Sequence, residues 1–303
     1  MGDRHGRLSV TQQNTPSDVF DPGHAFVSVT EHIGRNGMAK KKSVQPVIVC
    51  QPKFLPRTQW THAATMAATI NPINAPAARM AGLGRPLKPA EIAVLTTKYW
   101  GAGGVNLTVS FLDNPPKALR DRILSHMNAW AKKANIRFRY TAAQGQVRIA
   151  RVANDGYWSY LGTDVLSIPL HRQTLNLDSF TMNTPESEFR RVIRHEAGHT
   201  LGFPHEHMRK ALVALIDPKK AIKYFGDTQG WTPDEVKAQV LTPLEEGSLI
   251  ATANADPKSI MCYQIPGALT KNGQPIAGGT DIVASDYAFV AKIYPVPKKQ
   301  PKP

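Results

Sequence analysis

The segment His195-Glu196-Ala197-Gly198-His199 constrains this chain more than any other. It falls in a run from about Pro185 to Leu201 whose spacing predicts a helix, with Thr184 as the expected cap and Glu186 and Glu188 in the first turn. Residues four apart on a helix stand about 40° apart around the axis and about 6 Å along it, so both imidazoles face one way and can grip one ion. Glu196 projects beside them without being a ligand, placed to take a proton from water at the metal. Gly202 permits the left-handed turn that ends a helix, and the reversal returns His205 as a third nitrogen ligand. Three protein ligands leave a coordination position open, which is the arrangement of catalytic rather than structural zinc.

The composition is that of a globular chain. Of 303 residues, 42% are hydrophobic and 20% charged, which excludes fibrous and wholly disordered classes. The 37 Lys and Arg exceed the 23 Asp and Glu, but part of the surplus lies in the runs Lys40-Lys41-Lys42 and Lys298, Lys299, Lys302, where it reads as solvated tail. No nucleic-acid-binding module accompanies the charge, so no specific nucleic acid is expected as partner. Two cysteines, Cys50 and Cys262, cannot build a disulfide framework. No run approaches the roughly 20 apolar residues of a membrane helix, and the first residues lack the apolar stretch of a secretory signal. The expectation is a cytoplasmic protein or one exported by a non-standard route, without membrane contact.

Along the chain, residues up to about 60 mix Gly, Pro and charge and read as a mobile extension, followed by an Ala-rich segment, Thr61 to Met80, punctuated by Pro72, Pro76 and Gly82, that could be a short helix plus linker. A helix opening at Pro89 marks the entrance to the folded domain. Alternation predicts strands over 105–112, 136–140, 146–152, 157–161 and 165–170, and helical spacing predicts helices over 117–134, near 232–241 and over 285–294. The domain bounds expected are an extension over 1–87, a catalytic domain over 88–294 that divides at 201/202, and a basic tail over 295–303.

His195 to Glu206 resembles the extended zinc signature of the metzincin metalloendopeptidases, and Phe203, His205-Glu206 and Arg209 resemble the astacin family in particular. Ser259-Ile260-Met261-Cys262-Tyr263 is similar to that family's Met-turn, Trp158-Ser159-Tyr160-Leu161-Gly162 to its strand upstream of the zinc helix, and Asp286 to Tyr294 to its closing helix. The resemblance implies an α+β fold of two subdomains, with a twisted mixed sheet, the zinc helix and the Met-turn around a cleft. It implies one catalytic Zn2+ held by His195, His199 and His205, with Glu196 catalytic and protein or peptide substrates. It makes Met261 an apolar floor under the imidazoles, Tyr263 a movable extra ligand whose hydroxyl supports the tetrahedral intermediate, and Glu206 an anchor for the turn.

The chain departs from the family pattern in places. Tyr157 stands where a cysteine precedes the Trp-Ser-Tyr strand, so the usual disulfides are absent, and the long stretch from His205 to Met261 leaves room for a helical insert. His171 and His207 are left over, as exposed polar residues or as support for a ligand. Cys50 lies in an extended, Pro-flanked segment that could lie along the cleft. Its thiolate would displace the catalytic water and make the enzyme latent; a buried thiol and a Cys50–Cys262 disulfide are the alternatives. The function expected is a zinc-dependent endopeptidase. A silent zinc-containing binding module and a basic nucleic-acid-binding protein are its rivals.

Overall fold

The structure, a computed structural model, describes residues 50, 53–75, 96–101, 103–244 and 254–297. Both lysine runs and most of the helix expected to open at Pro89 lie outside the described residues. Its end, 96–100, has no regular secondary structure.

Five strands form one mixed sheet: β1 (Val105–Phe111), β2 (Ile136–Tyr140), β3 (Val147–Ala150), β4 (Tyr157–Ser159) and β5 (Leu175–Leu177), in the order β2-β1-β3-β5-β4. The first four in that order run parallel and β4 runs antiparallel to β5, with Val105 opposite Ile136, Val109 opposite Val147 and Trp158 opposite Asn176. Every side chain of central β3 is buried, whereas β2 alternates in its first residues. Together with its helices the sheet gives an α+β fold.

Residues 165–170, expected as a strand, instead leave a 3-10 turn (Gly162–Ser167) and wrap around Arg148. That guanidinium is 2% exposed and donates to the carbonyls of Gly145, Gln146, Ile168 and Arg172 at 2.8–3.1 Å. Carbonyls committed to a buried cation are not available to a ladder. The strand that does form there, β5, was not expected. Its three residues are too few to show a period, and Asn176 is buried because its amide bonds Val152 and Gly156.

The helices begin with α1 (Trp60–Ile70) and α2 (Lys117–Met127), the latter running into a 3-10 turn over Asn128–Lys132. Helix α3 spans 186–200 with a π turn at Phe189–Ile193. Thr184 does not cap it: its hydroxyl accepts from Thr181 N, and Pro185 occupies the cap position. Between His205 and the Met-turn segment lie α4 (Pro218–Gln229) and α5, residues 233–241. Asp217 caps α4 by accepting from Lys219 N and Lys220 N, and Gly230 ends it at φ +68°. Thr232 and Glu235 close a reciprocal capping box on α5. Helix α6 (Ala284–Ile293) is the last helix among the described residues. Among the described residues no helix is long and apolar enough to cross a membrane.

One core, containing Trp130, Phe189, Phe203 and Tyr294, fills the space between the sheet, α3 and α6. A second joins Phe225, Trp231 and Val240 to Cys262, Tyr263 and Cys50. Where the sequence suggested a mobile segment to about residue 60, the structure packs Cys50 and residues 53–59 on this framework. Lys53 bridges Tyr160 beside edge strand β4, Leu55 is buried with Ala63 and Ile168, and fully buried Asn74 bonds Ala67, Thr97 and both backbone groups of Tyr99.

Candidate metal centre

Helix α3 carries His195, Glu196 and His199, all buried, on its last turns. Gly202, at φ +97°, reverses the chain; a Cβ there would stand 2.9 Å from the Lys98 carbonyl, so only glycine fits. His205 follows, and its Nε2 lies 3.1 Å from that of His195 and 3.0 Å from that of His199. His195 donates from Nδ1 to the Ile260 carbonyl at 2.6 Å and His199 from Nδ1 to the Phe203 carbonyl at 2.8 Å. Those bonds fix the tautomers, leaving both Nε2 atoms as electron-pair donors. A proton on His205 could serve only one of its two neighbours, whereas a cation serves all three.

Ligand nitrogens around tetrahedral zinc stand about 3.3 Å apart, since each Zn–N bond is about 2.0 Å. The donor set therefore fits zinc. Burial supports it by holding the imidazoles neutral: His195 is lowered to about 4, and His199 and His205 well below their ordinary value.

A fourth donor is present. The Sγ of Cys50 joins the three imidazoles in one buried group whose donor atoms all lie within 4.8 Å of one another. The same thiol is 3.5 Å from Glu196 Oε2, and the Tyr263 hydroxyl donates to the Cys50 carbonyl. Cys50 and Cys262 are both free thiols, and burial raises both. Glu196 is 1% exposed and stands outside the ligand group; burial raises its carboxyl to about 8. A cavity of about 260 Å3 opens beside it, walled by His195, Tyr263, Cys50, Tyr157, Arg191 and Thr280.

The segment 259–263 is fastened on three sides. A Cβ on Gly198 would stand 2.4 Å from Met261 Sδ, so this glycine lets the methionine close up under the turn that carries the three histidines. Met261 O accepts from Glu206 N at 2.8 Å. Buried Asp286, on α6, accepts from Ser259 Oγ at 2.6 Å and from Ile260 N and Val283 N at 3.0 Å. Glu206 accepts from Asp256 N at 3.0 Å and pairs with Arg209 at 3.5 Å. The only local signal of this support in the sequence is an acidic residue three positions past the cap residue Val283. His171 is exposed, but His207 is fully buried against Tyr263.

Fold and ligand set together define a metzincin-type metallopeptidase scaffold, and the comparisons narrow it. The model of the Astacin peptidase family matches residues 95–217. The structure of myroilysin matches at 31% identity with a TM-score of 0.62, over 66% of this chain and 97% of that one; a crystal structure of myroilysin matches at 30% identity, TM-score 0.51, over 66% and 86%. Zinc metalloproteinase nas-27 of Caenorhabditis elegans is 30% identical over 144 residues, 43% of this chain. The chain spans only 30% of that relative's length. The chain belongs to the astacin family.

Proposed function

We propose that this protein is a zinc-dependent endopeptidase made in a latent form. The observation that carries the reading is the convergence of three imidazole Nε2 atoms beside a buried carboxylate that is not itself a ligand. His195, His199 and His205 hold the ion. Zinc, when bound, supplies a Lewis acid that polarises the scissile carbonyl and makes water acidic. Glu196 takes the proton of the attacking water and passes it to the leaving amine nitrogen. The Tyr263 hydroxyl donates to the oxyanion developing on the carbonyl oxygen. Met261 floors the ligand turn and Glu206 anchors it to the segment before the Met-turn. Edge strand β4 takes the peptide main chain by strand addition.

Cys50 and its neighbours supply latency. The thiol occupies the fourth donor position, the residue-50 carbonyl engages Tyr263, and Lys53 lies along β4 where a substrate would pair. One short segment thus blocks the ion, the oxyanion donor and the edge strand together. Cleavage after the extension is the activating event this arrangement calls for.

The test is turnover of a peptide library by activated protein. A strong chelator abolishes cleavage and zinc restores it. Full cleavage by metal-free protein would exclude the assignment.

A further inference from the structure

Tyr263 has one polar group, its hydroxyl, and in the latent chain that hydroxyl is held by the Cys50 carbonyl. Once the segment leaves, ring packing must decide where the phenol points. The His207 ring lies flat on the Tyr263 ring, with centroids 4.0 Å apart and 16° between planes, and His205 flanks them at 5.1 and 4.3 Å. His207 is 0% exposed. Its Nε2 is 3.0 Å from the Gln239 carbonyl, in the last turn of α5, where carbonyls lack partners within the helix. A carbonyl can only accept, so Nε2 carries the proton, and Nδ1 is buried without a hydrogen-bond partner among the described residues. Leaving a ring nitrogen buried and unpaired costs stability that an apolar residue would not incur. What the imidazole adds over an apolar residue is a flat face pinned at one edge to another helix.

We propose that His207 is a positioning residue for Tyr263: pinned by Gln239, its ring is the plate that fixes where the phenol hydroxyl reaches. The inserted helices α4 and α5 then have a role at the site, because Gln239 transmits their position to Tyr263. This inference rests on the catalytic reading of Tyr263 for its consequence in turnover, but not for its first test.

That test uses full-length protein and the rate at which a small thiol reagent modifies Cys50, located by peptide mass. His207→Ala and Tyr263→Phe each raise the rate about tenfold, and the double variant raises it no further, because both break one linkage. His207→Phe, which keeps a flat face but loses the bond to Gln239, falls between the parent and His207→Ala. In activated protein His207→Ala lowers kcat with KM unchanged, and lowers nothing further when Tyr263 is already Phe. An unchanged thiol rate in His207→Ala, multiplying effects in the double variant, or a Phe variant as damaged as the Ala variant would overturn the assignment. Should the thiol coupling hold in a protein that cleaves no peptide, the endopeptidase reading fails and the positioning role stands.

Discussion

Glu196→Gln keeps about one zinc per chain and loses turnover by about 10²- to 10⁴-fold, the range expected when a positioned general base is removed. The two halves of this result come from different atoms. The group able to hold a metal comprises the three imidazoles and the Cys50 thiol, and Glu196 stands outside it, so an amide in its place leaves those donors intact. The isosteric amide also fills the same buried volume, which keeps the turn packed. What disappears is the carboxylate to which the proposed mechanism gives the transfer of the proton from water to nitrogen. Metal analysis and kcat on one preparation check both halves. Substantial turnover in Glu196→Gln would remove the proton-transfer role.

On the proposed latency, Cys50→Ala raises the activity of the full-length protein about tenfold or more, because removing a thiolate from the fourth donor position reopens it. Activation by this change alone is incomplete. The residue-50 carbonyl still faces Tyr263, and Lys53 still borders β4. A chain beginning near Lys88 is therefore more active again, by a further several-fold, provided its melting shows that it tolerates losing the Asn74 bonds to Tyr99. Activity and thiol accessibility followed on one substrate read the series. Equal activity in all three proteins would leave residues 1–87 without an inhibitory role.

The turn that brings His195, His199 and His205 together was legible because its determinants are local. His195 and His199 are set by helical spacing, and Gly202 is required by the reversal to His205. The N-terminal capping box of α5, Thr232 with Glu235, is local in the same way. Determinants far apart in sequence were not. Arg148 draws the 165–170 carbonyls away from a ladder, and nothing in that segment's own alternation reveals a buried guanidinium. The π turn in α3 leaves no mark in an apolar pattern read at 3.6 residues per turn. Helix α4 carried a start signal in Asp217-Pro218 and a stop in Gly230, yet its sequence was read only as space for an insert. His207 was weighed as a leftover because its partners, Tyr263 and Gln239, lie 32 or more residues away. Cys50 was legible as a thiol in an extended segment; its meeting with Glu196 spans 146 residues and only the tertiary fold shows it.

The account turns on three imidazoles and one thiol meeting at a single ion, and zinc-edge X-ray absorption on the full-length protein measures that directly. The expected shell is three nitrogens at about 2.0–2.1 Å and one sulfur at about 2.3 Å, with the sulfur lost and the nitrogens kept in Cys50→Ala. Protein that binds no zinc, or a shell lacking the three imidazole nitrogens, would contradict it.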